Sequence, residues 1–334
     1  MGRFSALAAM LALLGLATGA SAAITIETVT VRDPGNTADS TGFGAVSYLY
    51  NIGKYEVTAG QYCAFLNAVA KTDTYGLYNV WMSQLKYYGC GISRSGSDGN
   101  YTYTVDPNCV NRPVNYVTFW DACRFANWLH NGQPTGNQDL TTTEDGAYYL
   151  NGFTGYDSGQ INRKPGAKWA LPTENEWYKA AYYKAGGINA GYWLYPTRSD
   201  SQPGRDLADA SGNNANYQGT PYPIQSPYFF TCVGEFQNSY SAYGTFDQGG
   251  NVREWNETVI ADPLGYPCRG LRGGSYSGDY VQLQSTSRSY AHPPTEKSYS
   301  GFRVVSFYPV PEPLPTVALL GGLAGLIELK RRNK

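Results

Sequence analysis

Two histidines, six cysteines and a glycine-flanked serine are the groups of this 334-residue chain best suited to chemistry. Ser275, in Arg272-Gly273-Gly274-Ser275, needs a positioned base to act as a nucleophile at neutral pH. His292 is the histidine nearest to it in sequence, and nothing orients the pair, so a turn in which the serine satisfies local amides is the favoured reading. His292 precedes Pro293-Pro294 and reads as a loop residue, while His130 sits beside Asn131-Gly132, where it caps a helix end. Glu174 and Glu176 resemble an acid/base pair in spacing, but their place in a capping turn accounts for them. Tyr182, Tyr183, Tyr192, Trp193 and Tyr195 are aromatic platforms for core packing or for stacking sugars.

The six cysteines are read against their compartment. Met1-Gly2-Arg3, an apolar run over residues 4–16 and Ala20-Ser21-Ala22 form the pattern of a secretory signal peptide over residues 1–22. Export into an oxidising compartment makes disulfides the expected state, and no Cys-x-x-Cys pair argues for metal or redox use. Six cysteines allow 15 connectivities. Local context favours Cys90–Cys109 around a Gly/Ser/Asn-rich excursion, Cys63–Cys123 between two predicted helices, and Cys232–Cys268. With 25 basic and 26 acidic residues, the charge gives no footprint for nucleic acid.

Three helices must position any site, and each is announced by a capping box. Thr58-Ala59-Gly60-Gln61 starts one with Tyr62, Phe65, Leu66 and Val69 on its inner face. Thr118-Phe119-Trp120-Asp121 starts a second, with Trp120, Cys123, Trp128 and Leu129 inward and Asn131-Gly132 as its stop. Thr173-Glu174-Asn175-Glu176 starts a third, expected to end at Gly186-Gly187. Residues 24–31 and 42–52 alternate as strands do. Elsewhere Gly, Asn, Ser and Pro predict long irregular connections, which need constraints such as disulfides or bound ions.

Gly250-Asn251-Val252-Arg253-Glu254-Trp255, Leu271-Arg272-Gly273-Gly274-Ser275-Tyr276 and Gly301-Phe302-Arg303-Val304-Val305 occur in order, after Tyr55-Glu56-Val57-Thr58 and Leu171-Pro172-Thr173-Glu174-Asn175-Glu176-Trp177. Together they resemble the formylglycine-generating, sulfatase-modifying-factor family over roughly residues 53–305. The resemblance implies an α+β fold related to the C-type lectin fold, with little regular structure, in one domain over residues 23–308. It also implies a copper site of two cysteines, but Gly278 and Leu283 occupy those places, so copper is not expected. Three-histidine iron sites of related branches need more than His130 and His292. What remains of the family's cleft is Ser275, Gly278, Leu283, Arg253 and Arg288, with arginine at 253 where tryptophan is usual. Asp247, Gln248, Gly250, Val252 and Glu254 match positions that hold a structural Ca2+, oxygen ligands suited to a hard cation. The competing reading is a sharp turn with Glu254 paired to an arginine; a second calcium site at Asn216 and Tyr217 lacks its acidic partner.

Residues 309–334 combine Val310-Pro311-Glu312-Pro313, an apolar run over 314–329 and Lys330-Arg331-Arg332-Asn333-Lys334. That pattern resembles the PEP-CTERM sorting signal, which implies an exosortase-type protease as a partner and at least transient membrane contact. The run is shorter than the roughly 20 apolar residues that span a bilayer; a short anchor is the alternative. The expectation is an exported bacterial envelope protein, membrane-anchored or released to the surface or matrix, that binds a glycan or protein. The rival is an oxidoreductase-type enzyme of the same family working through other residues.

Overall fold

The computed structural model describes residues 23–307 apart from 86–87 and 157–160. The expected signal peptide and sorting signal lie outside the described residues. Among the described residues, no helix is long and apolar enough to cross a membrane.

The fold is α+β with short elements. β1 (Thr28–Val31) and β2 (Tyr50–Gly53) join β10 (Val305–Ser306) and β5 (Trp169–Ala170) in an antiparallel sheet ordered β1-β2-β10-β5. β3 (Ile92–Ser95) and β4 (Thr102–Val105) form a hairpin. A second four-stranded sheet runs β8 (Ser289–Ala291), β7 (Pro267–Arg272), β6 (Arg253–Ala261), β9 (Ser300–Gly301), with β6 and β9 parallel. The first and last strands of the described residues thus share this sheet, with β10 beside β2.

All three expected helices form, and each has both hydrogen bonds of its capping box: α1 (Ala59–Val69) from Thr58 and Gln61, α2 (Phe119–His130) from Thr118 and Asp121, α3 (Glu174–Tyr182) from Thr173 and Glu176. Each reciprocal pair satisfies backbone donors that a helix start leaves open. Tyr62, Phe65, Leu66 and Val69 of α1 and Trp120, Cys123, Trp128 and Leu129 of α2 are buried in the main core, as their spacing predicts. Phe65 and Phe125 meet edge to face at 5.3 Å, one of several aromatic contacts that join the helices.

Three boundaries differ from the sequence reading, and the first is β1, which begins at Thr28 rather than at residue 24. α3 stops at Tyr182, because Tyr183 turns extended and bridges to Tyr192 before Gly186-Gly187 is reached. Residues 42–49 are not strand. Gly44 has φ +93° and its backbone lies so close to Tyr192 and Tyr178 that a Cβ would sit 2.6 Å from the Tyr192 hydroxyl, a position that only glycine fills without displacement.

Disulfides do not supply the constraint that the irregular connections need. Every cysteine keeps its thiol, so the expected pairs Cys63–Cys123, Cys90–Cys109 and Cys232–Cys268 are absent. Cys232 shares its surroundings with Arg112, Glu235 and Asp247, whereas Cys268 packs against His292. Buried arginine–carboxylate pairs take up that role. Arg124 meets both oxygens of Glu144 at 2.6 and 2.9 Å, each side chain at most 2% exposed. Arg163 ties Glu176 to Glu257, and Arg303 meets Glu254. Burial of such charges is tolerable only when they are paired and hydrogen-bonded.

Candidate functional site

β6 begins at Arg253, and alternation along the strand sends Arg253 and Glu254 to opposite faces. Glu254 points into the core. Its Oε1 and Oε2 accept from Arg303 Nη2 and Nε at 2.7 and 2.6 Å, and Oε2 also accepts from Trp177 Nε1 at 2.7 Å. Arg303 is shared: Asp247 and Glu56 also lie close to it and to Glu254, so acidic groups outnumber the one guanidinium in the segment where the resemblance expects Ca2+. The rest of that segment is engaged as well: Asp247 Oδ2 accepts from Gly234 N at 2.6 Å, Gln248 Nε2 donates to Trp177 O, Gly250 N to Gly273 O and Val252 N to Glu56 Oε1. Burial and the charges of Asp247 and Glu254 push Glu56 well above the usual carboxylate range.

Arg253 opens instead onto a cavity of about 150 Å³, which it lines together with Gly273, Gly274, Gln282 and Arg288 among others. Arg253 Nη2 donates to Gln282 Oε1 and Nη1 approaches Ser289 Oγ at 3.5 Å. Its guanidinium carbon lies 5.2 Å from the centre of the Tyr299 ring. All of these partners are neutral, and Arg253 has no ion-pair partner among the described residues. Two further arginines converge from the other wall. Arg272 donates to Glu174 Oε1 at 2.8 Å, and Arg288 grips both Glu174 oxygens at 2.9 and 2.7 Å. Arg272 is also fixed by the carbonyls of Ser285 and Ser287. Three guanidiniums and one carboxylate leave the cleft cationic.

Of the expected cleft residues, Arg253 and Arg288 line this cavity and the other three do not. Ser275 is fully buried with its hydroxyl 3.1 Å from Ser277 Oγ, and no histidine reaches it. Leu283 is fully buried against Tyr195, Ala215 and Tyr217. Gly278 lies under Gln282, whose side chain a Cβ there would strike at 2.3 Å. The two family thiol positions are thus filled by packing, and no residue at them can hold copper.

Gln282, Arg272 and Glu174 are the contributors the sequence reading missed. Glu174 was explained as a helix-start acid, and its two arginines stand 98 and 114 residues away. His130 was expected to cap its helix; instead its Nδ1 accepts from Lys168 N at 3.0 Å, and burial lowers its pKa. A larger groove of about 750 Å³ runs beside Glu56, Gln61 and Cys232, but no arginine or lysine lines it.

Residues 45–307 match the family of sulfatase-modifying factor enzyme 1-like domains. No curated protein matches the sequence. The crystal structure of CarF is similar in fold, with a TM-score of 0.51 and 23% identity over 85% of this chain and 99% of that one. PvdO from Pseudomonas aeruginosa (TM-score 0.44, 18% identity, covering 84% and 92%) and Treponema denticola variable protein 1 (0.46, 17%, 84% and 94%) also match.

Proposed function

The chain belongs to the family of sulfatase-modifying factor enzyme 1-like domains, and we propose that it uses that fold to bind an anionic ligand rather than to oxidise cysteine. The observation that carries this reading is the cavity at Arg253. It combines a guanidinium without a carboxylate partner, two arginines held rigid by Glu174, and the neutral side chains of Gln282 and Ser289, which accept from Arg253. Arginine forks of this kind recognise carboxylates and related anions with directional, charge-assisted hydrogen bonds. The small volume suits one acidic group, with the rest of a glycan or protein ligand lying across the surface.

The signal-peptide and sorting patterns support an exported, envelope-sorted protein cut by an exosortase-type protease. Native material should then end near Pro313, which intact-mass analysis reads directly. Incubation of the mature domain with Cu(I), oxygen and a sulfatase-type cysteine peptide should leave the cysteine intact, and an aldehyde product would overturn the non-oxidising reading. A screen of neutral, uronic-acid and sulfated oligosaccharides and an acidic peptide should give hits confined to the charged members.

A further inference from the structure

At the far end of the same sheet, three groups meet that the cleft does not use. The β6–β7 hairpin turns at Asp262, whose Oδ1 accepts from Leu264 N and Tyr266 N at 2.8 Å each. Those two bonds fix the carboxylate and aim Oδ2 at His292, 3.7 Å from Nε2. His292 directly follows β8, which pairs with β7 at Arg269 and Ala291. That register brings the imidazole Nδ1 to 3.3 Å from Cys268 Sγ on β7. One ligand atom from each of Asp262, Cys268 and His292 lies within 4.8 Å of the others, the single such cluster found among the described residues.

We propose that Asp262, Cys268 and His292 form a binding site for one borderline transition-metal ion of the zinc class, separate from the arginine cleft. The donor set is one thiolate sulfur, one imidazole nitrogen and one carboxylate oxygen, a combination that suits zinc and disfavours calcium or magnesium. Tetrahedral zinc at bond lengths of about 2.0–2.3 Å holds neighbouring ligand atoms about 3.3–3.6 Å apart. One ion takes one ring nitrogen, and Cys268 faces Nδ1 while Asp262 faces Nε2, so closing this triad requires His292 to reorient so that a single nitrogen meets both partners, with a contraction of roughly an ångström. Two hairpin strands and the Asp262 turn fix the backbones that carry the ligands, and the two bonds to Oδ1 orient the Asp262 carboxylate, the outer contacts on which metal sites depend. A Cys–His–Asp nucleophile is the competing chemistry. It fails on access, because Cys268 is 1% exposed on β7, where it pairs with Ile260 of β6. An ion can enter past His292, whose side chain is 35% exposed.

The test is titration of the full chain, purified under reducing conditions, with Co2+ and then Zn2+. One equivalent of Co2+ should give a near-ultraviolet thiolate charge-transfer band that one equivalent of Zn2+ removes. Cys268→Ser should abolish the band. His292→Gln and Asp262→Asn, both at the partly exposed edge of the cluster, should weaken Zn2+ affinity by at least about tenfold while circular dichroism stays unchanged. Absence of the band, its survival in Cys268→Ser, unchanged affinity in His292→Gln, or a Cys232–Cys268 disulfide in native protein by non-reducing mass analysis would each overturn the proposal.

Discussion

Arg253 and Glu254 stand side by side on β6, yet one faces an open cationic cleft and the other a buried core where an arginine meets it. Glu254 has a bidentate arginine and an indole N–H, so both of its oxygens are satisfied. Arg253 has only neutral partners and keeps an unbalanced charge. The difference separates a structural role from a ligand-facing one by whether the side chain has an ion-pair partner, which residue type alone does not reveal. A buried ion pair fixes which elements meet, whereas an arginine left unmatched beside a cavity retains affinity for an anion.

The largest effect should come from breaking the paired side. Arg303→Met leaves Glu254 buried without its cation and should cost about 3–5 kcal/mol, measured by urea denaturation. Arg303→Met combined with Glu254→Gln should recover much of that loss, since the two positions are coupled. If the single substitution costs under about 1 kcal/mol, the core pair does not hold the sheet to β2 and the comparison fails.

Next comes pH. Burial pushes Asp121 up from 3.8 to about 6, Asp247 likewise to about 6, and Glu296 from 4.5 to about 7. Each binds a proton in the folded state that the unfolded chain has already released. Their stabilisation is therefore complete below about pH 4 and is lost as pH rises through 6 to 7, by at most about 3 kcal/mol for Asp121. The denaturation midpoint should fall from pH 5 to pH 8, and Asp121→Asn should flatten that decline. A midpoint that rises across this window contradicts the assignment.

Smaller effects belong to the caps. Thr58→Ala, Thr118→Ala and Thr173→Ala should each cost about 1 kcal/mol, and the three should add because the helix starts share no partner. These were the features most legible in the sequence, because a capping box is complete within four residues. The inward faces of α1 and α2 were legible for the same reason, through 3.6-residue spacing. The cleft was legible only in part. Arg253 was singled out because it replaces tryptophan in the family pattern, but Glu174, the carboxylate that sets Arg272 and Arg288 in place, makes its contacts across about 100 residues. Local sequence context, with Cys232 and Cys268 flanking the signature region, favours pairing those two, and only the β7–β8 register shows that His292 is the neighbour of Cys268.

On stability Arg253→Gln should change little, within about 0.5 kcal/mol, because no buried carboxylate depends on it. Its effect belongs to binding, and one titration tests the account most directly. Calorimetry of a uronic-acid oligosaccharide and of its carboxyl-reduced, neutral counterpart into wild type and Arg253→Gln compares charge recognition on both sides. The account predicts saturable binding of the charged sugar alone, weakened about 10- to 100-fold in Arg253→Gln as expected for one charge-assisted hydrogen-bonded group. Equal binding of the neutral sugar, or undiminished binding by Arg253→Gln, would contradict it.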